Sequence, residues 1–278
     1  MGPALLFCPA DRPERYAKAA ERADAVILDL EDAVAPDAKR DARGHVAGSR
    51  LDPVRTIVRI NPLGTADADA DLAALAATEY TTVMVPKAED PVALRALAAR
   101  GYAVIGLCET ATGVVAAAEL AAVPGVVALM WGAEDLVASM GGTASRDARG
   151  RYRAVVQHVR ATVHLAAAAR GVASIDTVHL DIADEAGLEE EASDAAALGF
   201  AATACIHPSQ VAVVRRAYAP DPDHVAWAER VLAAARGERG VFRFDGVMVD
   251  EPVLRHARAV VARASDRAFS SSATEERG

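Results

Sequence analysis

The sequence has little of several residue types that would point to other classes of protein. Among 278 residues there are 3 cysteines and 4% aromatic residues. The only lysines are Lys18, Lys39 and Lys87. The cysteines, at positions 8, 108 and 205, lie far apart and form no CxxC pair. We therefore expect buried thiols in a reducing cytoplasm rather than disulfides or a zinc site.

The chain also lacks the features of nucleic-acid-binding and membrane proteins. Its net charge is −9, and no basic stripe with interleaved aromatic residues is visible, so we expect no nucleic-acid partner. No apolar run reaches the roughly 18 residues of a membrane span, and we expect no membrane partner. The N-terminal stretch has neither a charged start nor a long apolar run, so no signal peptide is predicted. A hydrophobic content of 52% excludes intrinsic disorder.

Short apolar runs alternate with helix-like segments along most of the chain. The runs are continuous, which is typical of parallel strands covered on both faces. We predict eight strands, at residues 4–8, 25–30, 56–60, 82–85, 103–107, 126–131, 175–180 and 202–206. This alternation predicts a (β/α)8 TIM barrel over residues 1–217. An open doubly wound sheet is the alternative, but no GxGxxG motif follows a strand.

The sequence changes character after the eighth strand. A turn-rich linker at 218–223 precedes a helix-like run, two short alternating stretches around Asp245-Gly246, and a last helix from near Pro252 to near Ala264. We expect residues 218–268 to form a C-terminal helical arm or lid that covers the barrel or packs on a neighbouring subunit. Residues 269–278 are expected to fray.

Carboxylates are concentrated where the predicted strands end, which is where the active site of such a barrel lies. They are Asp11, Asp29, Glu31, Asp32, Glu89, Glu109, Glu134, Asp135 and Asp181. Carboxylates on one rim repel one another unless a cation neutralises them, and oxygen ligands without paired His or Cys favour Mg²⁺ or Mn²⁺ over zinc. For any single carboxylate, an N-cap or a solvated loop charge is the simpler interpretation.

An ordered series of motifs shows a resemblance to a known family. The chain contains LFCPADRPERYAKA, AVILDLEDAVAPDAK, VRINPLGT, VMVPKAED, CETATGV, WGAEDL, IDTVHLD, CIHPSQ and GVMVDEP. Together they resemble the citrate lyase β-subunit-like proteins of the HpcH/HpaI aldolase superfamily, and most closely its stand-alone actinobacterial members. The resemblance covers residues 5–261 and implies a (β/α)8 barrel with a C-terminal arm. It also implies Mg²⁺-dependent cleavage or formation of a C–C bond in citryl-, malyl-, citramalyl- or related 3-hydroxyacyl-CoA thioesters.

The resemblance assigns the metal and substrate residues at the rim. Glu109 and Asp135 are the expected metal ligands, and Glu109 also belongs to the substrate site. Arg59, in the VRINP motif, resembles the family's substrate arginine. Its planar guanidinium fork suits a carboxylate or a developing enolate. An ion pair of Arg59 with a carboxylate of the neighbouring strand end is compatible with that role. For Glu109 the alternative is a buried ion-pair partner.

Backbone amides complete the expected keto-acid site. Those of Gly132, Ala133 and Glu134 resemble the family's carboxylate cradle, and amides at a helix start attract anions. A glycine permits close approach of the ligand to the backbone. Taken alone, Gly132 is equally well explained as a strand-end turn glycine.

Coenzyme A carries phosphates, so an acidic chain that binds it needs a local basic patch. The candidates are Arg12, Arg15, Lys18 and Arg22, followed by Lys39, Arg40 and Arg43. Phe7 and Lys18 match positions that contact the thioester ligand in the wider family. Ala10 stands where the family often has glycine, so the individual phosphate contacts are left open. A solvated charged face is the alternative for each basic residue.

Asp250, in GVMVDEP, resembles the acid that the family's arm places over a neighbouring subunit's active site. The local pattern also suits an N-cap for the last helix, and the two roles are compatible. An exchanged arm implies a homo-oligomer, and the family forms trimers or multiples of them.

The sequence therefore predicts an acyl-CoA lyase with Arg59 and Asp250 as catalytic residues. The alternatives are a metal-dependent aldolase acting on free hydroxy-keto acids, a malate-synthase or thioesterase activity, and a non-catalytic subunit of a lyase complex. Three further candidates carry less weight. They are a phosphate loop at Gly141-Gly142-Thr143, a base at His207 and a nucleophile at Cys205, interpreted more simply as a flexible loop, a pocket wall and a core thiol.

Overall fold

In this computed structural model, residues 2–238 and 240–275 are described, with side chains described up to residue 265. The chain divides into two compact units, Met1–Ala217 and Tyr218–Gly278. No helix in the described ranges combines the length and the apolar character needed to cross a membrane.

The first unit is a closed barrel of eight parallel strands in sequence order, so the predicted TIM barrel is confirmed. The strands are β1 Ala4–Pro9, β2 Ala25–Asp29, β3 Thr56–Arg59, β4 Thr82–Val85, β5 Ala103–Cys108, β6 Val126–Trp131, β7 Ala173–Asp176 and β8 Ala202–Cys205. β1 pairs with β2 on one side and with β8 on the other, which closes the barrel.

Helices follow the strands on the outside. Those of the first unit are α1 Tyr16–Arg22, α2 Lys39–Gly48, α3 Ala66–Leu75, α4 Pro91–Ala98, α5 Ala111–Val115, α6 Ala117–Ala121, α7 Ala133–Ser139, α8 Ala154–Ala168, α9 Glu185–Leu198 and α10 Pro208–Ala217. Local sequence explains several starts. Side chains of Thr65, Asp90, Thr110 and Asp184 accept backbone N–H groups of the first turns they precede, and Pro91 occupies a first-turn position.

The barrel interior is filled by every second residue of the strands. It contains Leu5, Ala25, Ile27, Ile57, Met84, Ile105, Leu107, Ala128, Met130, Ile175, Ala202 and Ala204, with Phe7 and Val178 packed against them. Each fully buried Leu, Ile or Met side chain in this list stabilises the fold by roughly 1.5–3 kcal/mol. This packed layer supports the rim above it.

The seventh strand lies earlier than the sequence predicts. β7 spans Ala173–Asp176, whereas the apolar run led us to expect residues 175–180. Asp176, rather than Asp181, is therefore the acidic residue at the strand end. Val178 continues the apolar run but packs on the core from the loop. The prediction is wrong here because a buried loop residue has the same local pattern as a strand residue.

The second unit holds two helices and a hairpin. These are α11 Pro222–Ala235, the paired strands β9 Phe242–Phe244 and β10 Val247–Val249, and α12 Glu251–Glu275. Asp245 and Gly246 have φ values of 48° and 83°, which a tight hairpin turn requires. Trp227, Phe242 and Phe244 pack on a small core of its own, made by Ala228, Val231, Val249 and Ala257.

The last helix runs well past the predicted end near Ala264. It reaches Glu275 and so covers most of the stretch expected to fray. Residues 276–278 of that stretch lie outside the described residues.

Candidate active site

Predicted rim residues meet at the carboxyl ends of β2 and β3. Asp29 and Arg59 are register partners at the ends of these strands. Arg59 Nε donates to Asp29 Oδ1 at 2.7 Å, and Nη2 donates to Oδ2 at 2.5 Å. Arg59 Nη1 lies 3.0 Å from Glu31 Oε2. The ion pair considered for Arg59 is therefore present, with Asp29 and Glu31 as partners.

Arg59 is also held by an aromatic ring. Its Cζ lies 4.8 Å from the centroid of Phe7, which is a cation–π distance. Burial would lower the pKa of Arg59, but the hydrogen bonds and charge of Asp29, with the charges of Glu31 and Glu109, raise it. The guanidinium is a permanent, oriented cation. Because Asp29 takes Nε and one N–H of Nη2, and Glu31 lies beside Nη1, only the N–H groups that face neither carboxylate can still donate to a ligand.

Glu109 follows β5 and is 3% exposed. Its Oε1 accepts a hydrogen bond of 3.0 Å from the backbone N–H of Lys87, and Oε2 has no hydrogen-bond partner among the described residues. Burial, and then the charges of Asp135 and Glu31, raise the pKa of Glu109 to about 8 against the opposing charges of Lys87 and Arg59. A buried carboxylate with an unpaired oxygen is a group that a cation would stabilise.

Gly132 lies directly against Glu109. A Cβ at Gly132 would be 2.9 Å from both Cβ and Oε2 of Glu109, closer than real Cβ atoms approach. The backbone of Gly132 is extended, with φ −126° and ψ 130°, so its angles do not require glycine. Space for the Glu109 carboxylate, rather than a strand-end turn, explains glycine at this position.

The first turn of α7 carries the second expected metal ligand. The Asp135 side chain is 42% exposed, and its Oδ1 lies 3.8 Å from Lys87 Nζ. The first N–H groups of a helix have no intrahelical acceptor. Those of Ala133 and Glu134 are therefore open to a ligand, whereas the N–H of Gly132 donates to the Cys108 carbonyl at 3.4 Å.

The side chain of Glu134 is tied to the loop after α7. Its Oε1 accepts a hydrogen bond of 2.6 Å from Ser145 Oγ, and Ser145 is buried. The carboxylate of Glu134 therefore anchors a neighbouring loop, and the role of its backbone N–H in the predicted cradle stays a prediction.

The basic residues around α1 face solvent. Arg12 and Arg15 make only long contacts, at 3.8 and 3.9 Å, to the acidic residues that precede them. Lys18 and Arg22 are exposed and have no ion-pair partner among the described residues. These four side chains are free to meet an anionic ligand.

Two basic residues of the next repeat are used inside the protein. Lys39 Nζ donates to the carbonyls of Leu30 and Glu31 at 3.1 and 3.2 Å, and also to Asn61 Oδ1. Arg43 donates to Asp71 at 2.6 Å and to Asp67 at 2.5 Å. Lys39 and Arg43 are therefore held by contacts within the protein, and their place in a phosphate patch stays a prediction. Lys39 joins the loops after β2 and β3, and Arg43 joins α2 to α3.

Asp250 belongs to the second unit and precedes α12. Its Oδ1 accepts a hydrogen bond of 3.3 Å from the N–H of Val253, and its carbonyl accepts one of 3.0 Å from Leu254. The N-cap interpretation therefore describes its local contacts. Its catalytic role stays a prediction.

The three candidates of lesser weight have ordinary structural contacts. Gly141, with φ 76°, follows the end of α7, and its N–H and that of Gly142 donate to helix carbonyls rather than to a phosphate. His207 is exposed, with Nδ1 2.8 Å from Ser209 Oγ. Burial raises the pKa of Cys205 to about 12, so it is a core thiol.

Sequence reasoning did not identify Lys87 as a site residue. Its ammonium lies 2.5 Å from Glu31 Oε1, and its backbone contacts Glu109. The available signal was a lysine directly after a strand in a chain that has few lysines. Sequence reasoning also missed Asp176, which has a structural role: it accepts a hydrogen bond of 2.6 Å from Trp131 Nε1 and pairs with Arg160.

Comparison with known proteins identifies the family of the chain. The model of the HpcH/HpaI aldolase/citrate lyase family matches residues 4–208. A citrate lyase subunit beta-like protein of Mycobacterium tuberculosis is 59% identical over 265 residues, which cover 95% of this chain and 96% of that protein. The mitochondrial citramalyl-CoA lyase of Rattus norvegicus is 31% identical, over 94% of this chain and 86% of its own.

A solved structure gives the same result in three dimensions. The crystal structure of the protein CitE from Mycobacterium tuberculosis, in complex with magnesium, acetoacetate and coenzyme A, matches with a TM-score of 0.91. The match has 59% sequence identity and covers 95% of this chain and 98% of that one. This chain therefore belongs to the HpcH/HpaI aldolase/citrate lyase family and is a carbon–carbon lyase of that family.

Proposed function

We propose that the enzyme is a Mg²⁺-dependent lyase that cleaves, or in reverse forms, the C2–C3 bond of a 3-hydroxyacyl-CoA thioester of the citryl, malyl or citramalyl type. The products are an acetyl-CoA-type thioester and an α-keto acid. The observation that carries the proposal is the buried Glu109 carboxylate, with one unpaired oxygen, beside the oriented cation of Arg59. The ligands of the Mycobacterium tuberculosis relative support the same classes of ligand here.

Glu109 and Asp135 are the residues we propose to hold the metal. Mg²⁺ prefers oxygen ligands and keeps several waters, so two carboxylates leave room for a substrate, and Mn²⁺ accepts the same ligands. Among the described side chains, which end at residue 265, no group of three or more His, Cys, Asp or Glu is arranged to hold a metal. When bound, the ion would supply positive charge to the keto and carboxylate oxygens of the α-keto acid.

The keto-acid carboxylate fits the start of α7. The open N–H groups of Ala133 and Glu134 can donate to it, and Gly132 keeps a Cβ out of the space between this turn and Glu109. This is the arrangement expected if the α-keto acid lies between α7 and the end of β5.

Arg59 is proposed to stabilise the charge that develops during cleavage. A base takes the 3-hydroxyl proton, the hydroxyl oxygen becomes the keto oxygen, and the C2–C3 electron pair moves to the thioester as an enolate. A guanidinium that is already fixed beside the reacting atoms can stabilise this developing negative charge without moving. Phe7 and the carboxylates of Asp29 and Glu31 hold the guanidinium in place.

Asp250 is proposed to exchange the proton on the thioester carbon. It would protonate C2 of the enolate in cleavage and remove a proton from the acetyl group in the reverse direction. Because Asp250 belongs to the arm at residues 218–268, this role needs the arm to cover an active site of its own or of a neighbouring subunit. We propose a homo-oligomer, a trimer or a multiple of one, in which arms are exchanged.

Coenzyme A is proposed to bind over the exposed basic residues of the first repeat. Arg12, Arg15, Lys18 and Arg22 supply positive charge on an otherwise acidic protein. We also expect the enzyme to work in the cytoplasm, because all three of its cysteines are unpaired and buried.

A coupled assay over a panel of thioesters tests the proposal. Citryl-, malyl- and citramalyl-CoA are each supplied with Mg²⁺, and the α-keto acid released is identified by mass spectrometry. We expect one of them to be cleaved, and cleavage to stop with EDTA and in Glu109→Gln. Cleavage of free hydroxy-keto acids with no turnover of any thioester would contradict the proposal.

The coenzyme A surface needs a separate test. Charge reversal at Lys18 and Arg22 should weaken acetyl-CoA binding in calorimetry, more at low salt than at high salt. Unchanged affinity in that variant would remove α1 from the coenzyme A site.

A further inference from the structure

Lys87 is held in a backbone conformation that lysine rarely adopts. It follows β4 with a φ of 48°, and the only other non-glycine residue with positive φ in residues 2–238 and 240–275 is Asp245. In this region Cβ approaches the following carbonyl, so a residue with a side chain stays there only when its surroundings hold it. Glycine would make the same turn without that cost, so the lysine side chain needs an explanation.

The turn directs the backbone N–H of Lys87 at Glu109. The hydrogen bond to Oε1 is 3.0 Å long. The other oxygen, Oε2, is the one that lies toward Gly132. The amide therefore fixes the rotation of the carboxylate, with one oxygen used by the protein and the other presented to the open site.

The side chain of the same residue reaches the other carboxylates. Lys87 Nζ lies 2.5 Å from Glu31 Oε1, 3.7 Å from Asp32 Oδ2 and 3.8 Å from Asp135 Oδ1. One residue thus contacts both carboxylates of the proposed metal site, Glu109 through its backbone and Asp135 through its ammonium.

Resting on the metal site proposed above, we infer that Lys87 is a positioning residue for the divalent cation. Its amide orients Glu109, and its ammonium offsets part of the negative charge of the rim while the cation is absent. Because an ammonium and a divalent cation repel each other, the ammonium also lowers the affinity of the site for the cation. Lys87 therefore keeps the carboxylates in place and makes the metal exchangeable.

A purely structural ion pair between Lys87 and Glu31 would behave differently. Losing such a pair would reduce the stability of the fold and leave cation affinity unchanged, or reduce it if Asp135 became disordered. The sign of the change in affinity therefore separates the two roles.

The test measures Mn²⁺ binding to the full chain, without substrate, by the electron paramagnetic resonance signal of free Mn²⁺. Lys87→Met removes the ammonium and keeps the amide, and Lys87→Arg keeps a cation. Lys87→Gly also keeps the amide and relieves the strained turn, so it serves if Lys87→Met does not fold. Arg50→Met is the control for net charge, because Arg50 is exposed and precedes β3, at the opposite end of the barrel.

Lys87→Met and Lys87→Gly are expected to bind Mn²⁺ about ten-fold more tightly than the wild type. The reason is that each variant loses a positive charge that would repel the cation from a few ångströms away. Lys87→Arg and Arg50→Met are expected to stay within about two-fold of it. Unchanged or weaker binding in both ammonium-free variants, with wild-type binding intact, overturns the inference and leaves the metal site standing. No binding by the wild type, or undiminished binding by Glu109→Gln, overturns the metal site and this inference with it.

Discussion

Asp29 and Arg59 occupy one register position on neighbouring strands, and the carboxylate of Asp29 receives two N–H groups of the Arg59 fork. The same carboxylate accepts the backbone N–H of Glu31 at 3.0 Å and that of Ala33 at 3.2 Å. One buried acid therefore fixes both the guanidinium and the loop that carries the next acidic residue. The position of Arg59 is set by strand pairing rather than by a mobile loop.

Arg59→Lys should keep the charge and lose the two-point hydrogen bond. Because lysine has no planar fork, it cannot make both hydrogen bonds to Asp29 and still present a donor to the substrate. We therefore expect kcat/KM to fall by about 100-fold or more while the protein stays folded. Steady-state kinetics with the substrate identified by the thioester panel would measure this. Arg95→Lys, on the exposed face of α4, is the matched control and should retain full activity. Near-normal activity of Arg59→Lys would show that the fork is dispensable.

Gly132→Ala should displace Glu109, because the new Cβ would sit 2.9 Å from its Cβ and Oε2. A shift of about 1 Å at a reacting site typically lowers the rate by about 100-fold. Gly44→Ala is the control, since Gly44 is inside α2 and no atom lies within 4 Å of the Cβ that alanine would add there. That variant should keep full activity and gain roughly 0.5–1 kcal/mol of stability. Urea unfolding and kinetics on both variants would check the pair.

Glu109 should make the stability of the metal-free protein depend on pH. Its pKa in the folded chain, about 8, lies above the ordinary value of 4.5, so the unfolded chain releases this proton first. The stability associated with Glu109 is therefore fully present below 4.5 and is lost as the pH rises to about 8.

In EDTA, Glu109→Gln should thus be more stable than the wild type at pH 9, by more than about 1 kcal/mol, with the advantage disappearing near pH 4.5. Urea unfolding at several pH values would show it. Glu119→Gln, an exposed change on α6, should show no such trend. A pH-independent difference for Glu109→Gln would contradict the raised pKa.

The three cysteines should be unreactive in the folded protein. Burial raises the pKa of Cys8 to about 11 and those of Cys108 and Cys205 to about 12, so almost no thiolate is present at pH 8. Titration with a chromogenic disulfide reagent should label none of them in buffer and all three in denaturant. Rapid labelling of one thiol in the native protein would reveal an open path to the core.

The barrel could be predicted from sequence because its strands are continuous apolar runs between helical segments. β4 and β6 lie at the predicted residues, whereas β7 does not. Its error came from Val178, an apolar loop residue that packs on the core like a strand residue. Burial in a barrel depends on neighbours distant in the chain, and local pattern does not contain that information.

The candidate site shows the same division. Charge pattern identified Arg59 and Glu109 as rim residues, but it could not tell a basic residue that faces solvent, such as Lys18, from one used internally, such as Arg43. That distinction depends on Asp71, which is fully buried and belongs to the following repeat. Lys87 was missed because its contribution comes from a backbone angle as much as from its charge.

The chain has 2 tryptophans, and each compact unit contains one of them. Trp131 ends β6 immediately before Gly132 and is fully buried, with its indole N–H on Asp176, whereas Trp227 packs on the core of the second unit. Replacing Trp227 with phenylalanine would leave Trp131, beside the proposed keto-acid cradle, as the single tryptophan. Intrinsic emission of that variant would then report ligand occupancy and barrel unfolding without any attached label.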